Sequence, residues 1–252
     1  MAEKEIGNVM KARVLFGVIG FVFVLLALYV FPPVVMAIAL TVLATLATYE
    51  LTEPTGLVKN PIVLRTAWFS SLLFGVFDAV GTGDDVLLLY ACLTMIVIVA
   101  LFAALLRHHD TVSFPEIAVA LFGGVVLPIM LLSLWRIFSM EGGQFLVLLP
   151  LVAAWGSDTC ALFAGMAFGK HKLAPVVSPK KTVEGAIGGV VGATLLMLLV
   201  VYLFNRFANL EIDYAAAALM GAIGAVIGQV GDLSFSIIKR QTGIKDYSHI
   251  FP

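Results

Sequence analysis

Residues 86–106 read VLLLYACLTMIVIVALFAALL, a run without one charged side chain. As a helix rising 1.5 Å per residue it spans about 30 Å, the thickness of a bilayer's hydrocarbon core. Apolar residues on every face leave no side for water, so the run reads as membrane-spanning. Outward from it, runs of similar length recur at 14–31, 34–51, 63–80, 118–137, 145–168, 186–204 and 214–235, separated by short segments carrying Pro, Gly and charge. The whole chain agrees: 61% of its 252 residues are hydrophobic and 12% charged, against roughly 25% charged in soluble domains. The expectation is an all-α polytopic integral membrane protein with about eight transmembrane helices.

When successive loops are assigned to alternate sides, all fifteen Lys and Arg except Arg136 and Arg206 fall on one side. Positive residues are retained in the cytoplasm, so both termini and the Lys-rich segments are expected there, with the bacterial inner membrane as the host bilayer. Met1 to Arg13 is short and mixed in charge, and the run behind it lacks a small-residue cleavage site, which reads as a retained first helix. Phe31-Pro32-Pro33 marks a tight helical hairpin, because proline removes a backbone donor and ends a helix. Gly165 and Gly169, Gly185 and Gly189, and Gly224 and Gly228 are each four apart, a spacing that lets helices pack closely. Cys92 and Cys160 lie in apolar runs with no second ligand at metal spacing and read as packing residues. A net charge of −1 argues against a nucleic-acid partner.

Chemistry divides the chain into residues 1–144, which are quiet, and 145–252. In the first part Glu50, Glu53, Asp78, Asp84 and Asp85 read as solvated helix ends, and His108 and His109 as interfacial. In the second part polar residues enter apolar runs, where a charge costs at least about 2.5–3.5 kcal/mol. They are Asp158 in Ala154-Trp155-Gly156-Ser157-Asp158-Thr159, and Gln229 and Asp232 in Gly228-Gln229-Val230-Gly231-Asp232-Leu233. Between them Gly169-Lys170-His171-Lys172-Leu173 is followed by Ser178-Pro179-Lys180-Lys181-Thr182-Val183-Glu184-Gly185. Lysine charges, hydroxyls and the free N–H groups of a following helix suit a phosphate. The same lysines also satisfy the positive-inside rule with no ligand, so this loop alone leaves both readings open. Further on, Asp232, Ser236 and Lys239 or Arg240 share one helical face, a pattern that fits a metal-bridged nucleotide phosphate. The residues by themselves lead to a membrane enzyme acting on a phosphorylated substrate.

From Trp155 to Pro252 the sequence resembles phosphatidate cytidylyltransferase, or CDP-diacylglycerol synthase. One block runs from Asp158 to Gly185, with Phe168-Gly169-Lys170-His171, Leu173, Pro175, Ser178-Pro179-Lys180-Lys181-Thr182 and Glu184; the other holds Gly231-Asp232-Leu233, Ser236, Lys239-Arg240 and Lys245-Asp246. The resemblance implies transfer of a cytidylyl group from CTP to phosphatidic acid, giving CDP-diacylglycerol and pyrophosphate for phospholipid synthesis. It implies Mg2+ as cofactor, with room for a second cation, and a homodimer in the lipid bilayer. Carried over by position, Asp232 is a metal ligand and, with Lys239 and Asp246, catalytic. Ser178, Lys180, Lys181, Thr182, Glu184, Ser236, Arg240, Lys245 and Asp158 bind substrate. The chain departs from the family in having Cys160 and Leu162 where a Gly and a Tyr are usual. It also stops at Pro252, where the family signature continues through Gly-His-Gly-Gly to further acidic residues and a ninth helix. The expectation is therefore a fragment whose segment Gln241 to Pro252 is mobile. A CTP-dependent polyprenol or dolichol kinase shares the phosphate logic. A secondary transporter, with Asp158 and Asp232 as ion sites, is the alternative of another class.

Overall fold

The computed structural model describes residues 19–20, 22–81, 84–244 and 247. Among them, seven helices are long and apolar enough to cross a membrane, and the architecture is that of a polytopic helical membrane protein. Helical residues 19–20 and 22–29 come first; the expected span 14–31 lies in part outside the described residues. Then follow α1 (Pro33–Thr52), α2 (Pro61–Val80) and α3 (Asp84–Arg107). Next, α4 (Phe114–Leu121) runs through a π-helical turn, Phe122–Val126, into α5 (Leu127–Phe138). A short α6 (Gly143–Leu146) leads into α7 (Leu148–Phe168); α8 (Val183–Phe207) and α9 (Tyr214–Thr242) complete the order.

Helix starts follow from local chemistry. Pro33 and Pro61 sit in the first turns of α1 and α2, where a missing N–H costs nothing. The side chains of Asn60, Thr182 and Asp213 accept free N–H groups at the starts of α2, α8 and α9. Gly243, at φ 73°, closes α9 in the left-handed conformation that favours glycine.

One departure from the all-α expectation positions the site. The Lys-rich segment is not a plain loop but an antiparallel hairpin of β1 (Lys172–Ala174) and β2 (Ser178–Thr182). Lys172 pairs with Thr182, so regular alternation would bring Ala174 opposite Lys180; it lies opposite Ser178 instead. The irregularity falls between Lys172 and Ala174, opposite a stretch of β2 that contains Pro179, which has no N–H to give a ladder.

The chain folds as two compact units, one through Arg136 and one from Ile137 to Lys245. In the first, the π turn is locked from two sides. Thr48 Oγ1 donates to Gly123 O at 2.7 Å and Ser70 Oγ to Gly124 O at 2.8 Å. A Cβ on Gly124 would come within 2.7 Å of Ala67 Cα, so this crossing needs the glycine. Asp78 corrects the expectation of a solvated helix end. It is 4% exposed, accepts from Tyr90 Oη at 2.7 Å and lies 3.5 Å from Arg136 Nε. The guanidinium stacks over the Tyr90 ring, and Trp135 Nε1 donates to Asp78 O. A charge on an apolar helix is tolerated when it is paired in this way.

In the second unit α7, α8 and α9 pack through small residues. A Cβ on Gly185 would lie 2.8 Å from Ala161 O, and one on Gly189 2.9 Å from Ser157 O. Gly224 meets Ala153, whereas Gly228 has nothing within 4 Å, so that member of the expected pair is not a packing residue. Outward-facing Ile187, Val191 and Leu195 on α8, and Leu219, Ile223 and Ile227 on α9, are exposed as lipid-facing side chains are.

Candidate active site

The hairpin is mounted where α7 ends and α8 begins. The Val183 N–H donates to His171 O at 2.9 Å, extending the β1–β2 ladder to the root of the hairpin. Thr182 caps α8, its hydroxyl accepting from Gly185 N at 3.1 Å. Glu184, in the first turn of α8, turns back: its Oε2 accepts the Lys170 and His171 N–H groups at 3.1 and 3.2 Å, and its Oε1 lies 2.6 Å from His171 Nδ1.

This mounting brings both lysines of β2 to bear. Strict alternation would send neighbours Lys180 and Lys181 to opposite faces, yet both line one cavity of about 400 Å³ together with Asp158, Thr182 and Gln229. Lys181 forms an ion pair with Asp232 of α9, and the charges of Asp158, Asp232 and Lys181 interact. The remaining wall is apolar, including Leu162, Met166 and Leu173. A second cavity of about 260 Å³ is lined by Ser178 and Lys180 from the hairpin and by Ser236, Lys239 and Arg240 from α9. Lys180 borders both. Arg240 Nε also donates to Val177 O at 3.5 Å, a long contact between α9 and the hairpin turn.

Gln229 ties the three helices beneath the carboxylates. Its Nε2 donates to Ser157 Oγ and to Ala186 O, each at 3.1 Å. Ser157 precedes Asp158, and Gln229 stands three residues before Asp232, so this amide bonds close in sequence to both acids.

The cytidylyltransferase family profile matches residues 11–252. The chain belongs to this family. It is 29% identical to the phosphatidate cytidylyltransferase of Haemophilus influenzae, covering 96% of this chain and 90% of the relative. To the Bacillus subtilis enzyme of the same name it is 30% identical, covering 96% and 89%. The Rickettsia conorii enzyme shares 33% over 78% of each chain.

In this cytidylyltransferase ten residues singled out from the sequence fall into one region. Asp158, Lys180, Lys181 and Thr182 line the larger cavity, and Ser178, Ser236, Lys239 and Arg240 join Lys180 at the smaller. Asp232 meets Lys181, and Glu184 holds the hairpin's root. Lys245 and Asp246 lie outside the described residues, as does most of the segment expected to be mobile; Gln241 and Thr242 instead finish α9. Leu173 stands in the first block of the resemblance, but its apolar partner Met166 was missed, since nothing distinguishes that residue from lipid-facing neighbours in sequence. Gln229 did carry a signal, being an amide inside an apolar run.

Among the described residues no three His, Cys, Asp or Glu side chains gather into a ready-made metal cage. Asp158 and Asp232 are nevertheless hard oxygen donors whose charges interact beside a phosphate-suited cavity. Mg2+ uses one or two carboxylates and fills its remaining positions with water and substrate phosphates, so this donor set fits it.

Proposed function

We propose that this cytidylyltransferase makes CDP-diacylglycerol from CTP and phosphatidic acid. The observation that carries the reading is convergence: two segments far apart in sequence deliver Ser178, Lys180, Ser236, Lys239 and Arg240 to one cleft, beside the Asp158, Lys181 and Asp232 cluster. Cations and hydroxyls gathered at the edge of an apolar helical bundle suit a polyphosphate that must meet a lipid.

In the reaction a phosphate oxygen of phosphatidic acid forms a bond to the α-phosphorus of CTP, and the bond from that phosphorus to the bridging oxygen of the β-phosphate breaks. Pyrophosphate carries the electron pair away. Ser178, Ser236, Lys239 and Arg240 bind triphosphate oxygens, and Lys180, bordering both cavities, reaches the phosphates of both substrates. Lys181 and Thr182 orient the lipid phosphate, while Leu162, Met166 and Leu173 exclude water from the glycerol side. Asp232 would hold Mg2+, with Asp158 beside it; the ion supplies Lewis-acid neutralisation of charge on the transferring group. A second cation, and Lys245 and Asp246 as further polar groups, belong to the same proposal.

The proposal includes a cytoplasmic active site in a bacterial inner membrane, an eight-helix count with both termini inside, and a homodimer. Sidedness is supported by the lysines, and CTP is met in the cytoplasm. The test is incubation of the purified chain in detergent with α-labelled CTP, phosphatidic acid and Mg2+. Labelled CDP-diacylglycerol and unlabelled pyrophosphate are expected. Release of labelled CDP would instead identify a CTP-dependent lipid kinase, and absence of CTP binding would return the transporter reading.

A further inference from the structure

We infer that Glu184 is a positioning residue, holding the β1–β2 hairpin so that Lys180 and Lys181 face the cavities, and is not itself a ligand of substrate or metal. The inference rests on the reading proposed above for what the cavities bind. Glu184, like Asp232, lines neither cavity, but Asp232 reaches the cavity residue Lys181, whereas Glu184 is bonded to the segment that precedes the hairpin. Both of its oxygens are directed elsewhere: Oε2 to the Lys170 and His171 N–H groups, Oε1 to the His171 ring. Those two amides lie between the end of α7 and the first residue of β1, in a segment whose donors have no helical partner. The bond from Val183 N to His171 O closes the other edge of the same root. A short hairpin with an irregular register is weak alone, so the direction of Lys180 and Lys181 depends on this root.

The first unit contains an internal control. Glu116, in the first turn of α4, also turns back to a preceding loop, accepting from Lys59 N at 2.7 Å and Asn60 N at 3.3 Å. It too joins a carboxylate at a helix start to backbone amides from an earlier segment, but no cavity residue lies on the loop it holds. A merely structural role would make the two glutamates behave alike.

The experiment compares Glu184→Ala, Glu184→Gln, Glu116→Ala and His171→Ala in the full chain. It measures KM for CTP, kcat, Mg2+ dependence and backbone hydrogen exchange at residues 170–183. Glu184→Ala is expected to speed exchange across the hairpin, raise KM for CTP and lower kcat/KM by about 10- to 100-fold, the scale of a misplaced reactive group. Glu184→Gln keeps an oxygen for both amides and should recover most of that loss with unchanged Mg2+ dependence. In the double variant the effects of His171→Ala and Glu184→Ala should not add, because the two residues share one contact. Glu116→Ala should leave KM unaltered. The inference is overturned if Glu184→Gln is as impaired as Glu184→Ala with a shifted Mg2+ requirement, which would make the carboxylate a ligand. It is equally overturned if Glu184→Ala leaves KM unchanged, as Glu116→Ala does. If the wild-type chain makes no CDP-diacylglycerol, the proposed function fails by itself, while hydrogen exchange still reports whether Glu184 holds the hairpin.

Discussion

Asp232 stands half-exposed on α9, outside the lining of either cavity, and pairs with Lys181, which lines the larger cavity together with Asp158. Removing its charge leaves Lys181 in place without its anion and takes away the donor proposed for Mg2+. Asp232→Asn should therefore lower kcat by at least about 100-fold, the scale on which one electrostatic group in a transition state acts, with little change in thermal stability. Unchanged turnover would remove Asp232 from the reaction. Lys180 and Lys239 make a sharper pair. Lys180 borders both cavities and Lys239 only the smaller, so Lys180→Ala should raise KM for both CTP and phosphatidic acid, and Lys239→Ala for CTP alone. Steady-state kinetics with each substrate varied in turn in mixed micelles checks this; equal effects from the two variants would contradict the division of the cavities.

At the scale of elements, three helices meet without side-chain bulk between them, and a hydrogen-bonded amide sits in the crossing. Gly189 lies against Ser157 O and close to Gln229 Nε2, so Gly189→Leu would overpack the crossing and cost about 1–3 kcal/mol. It should lower the unfolding midpoint in detergent and, by spreading α7 from α9, weaken Mg2+ activation as well. Gln229→Leu keeps the volume but deletes the bonds to Ser157 and Ala186; it should weaken Mg2+ activation with a smaller change in midpoint. If both variants alter stability only, the amide does not set the spacing of the acids. The helices themselves are legible because an apolar run of spanning length has few other uses, and the recurrence of polar residues after Asp158 marks where the chemistry lies. The hairpin is not legible: β1 is three residues long, its register is irregular, and its root is bonded by Glu184 reaching back to amides thirteen and fourteen positions earlier. The burial of Asp78 was hidden for a similar reason, since Tyr90 and Arg136 reach it from other helices.

At the scale of the whole molecule the open variable is which side of the membrane each end of the helices faces, and the contacts within each unit constrain it. Glu116 at the start of α4 binds the amides of Lys59 and Asn60, so the α1–α2 and α3–α4 connections share one side. Asp78 and Arg136 pair at the opposite ends of α2 and α5. In the second unit the hairpin and the end of α9 share a side, while Asn205 accepts from Ile212 N where α8 turns toward α9 at the other. Within each unit taken by itself these contacts agree with the loop alternation read from the sequence, and the proposed cytoplasmic side is the one to which that alternation would assign most Lys and Arg. With Cys92→Ser and Cys160→Ala as background, single cysteines at His109 and Lys172 should resist a membrane-impermeant maleimide in intact cells and react once the membrane is opened. Cysteines at Glu141 and Glu211 should react in intact cells. Labelling of the His109 and Lys172 positions from outside would invert the protein and place the proposed CTP cleft on the wrong side of the membrane. Labelling of Lys172 and Glu211 from the same side would break the helix alternation itself, which no reassignment of inside and outside could repair.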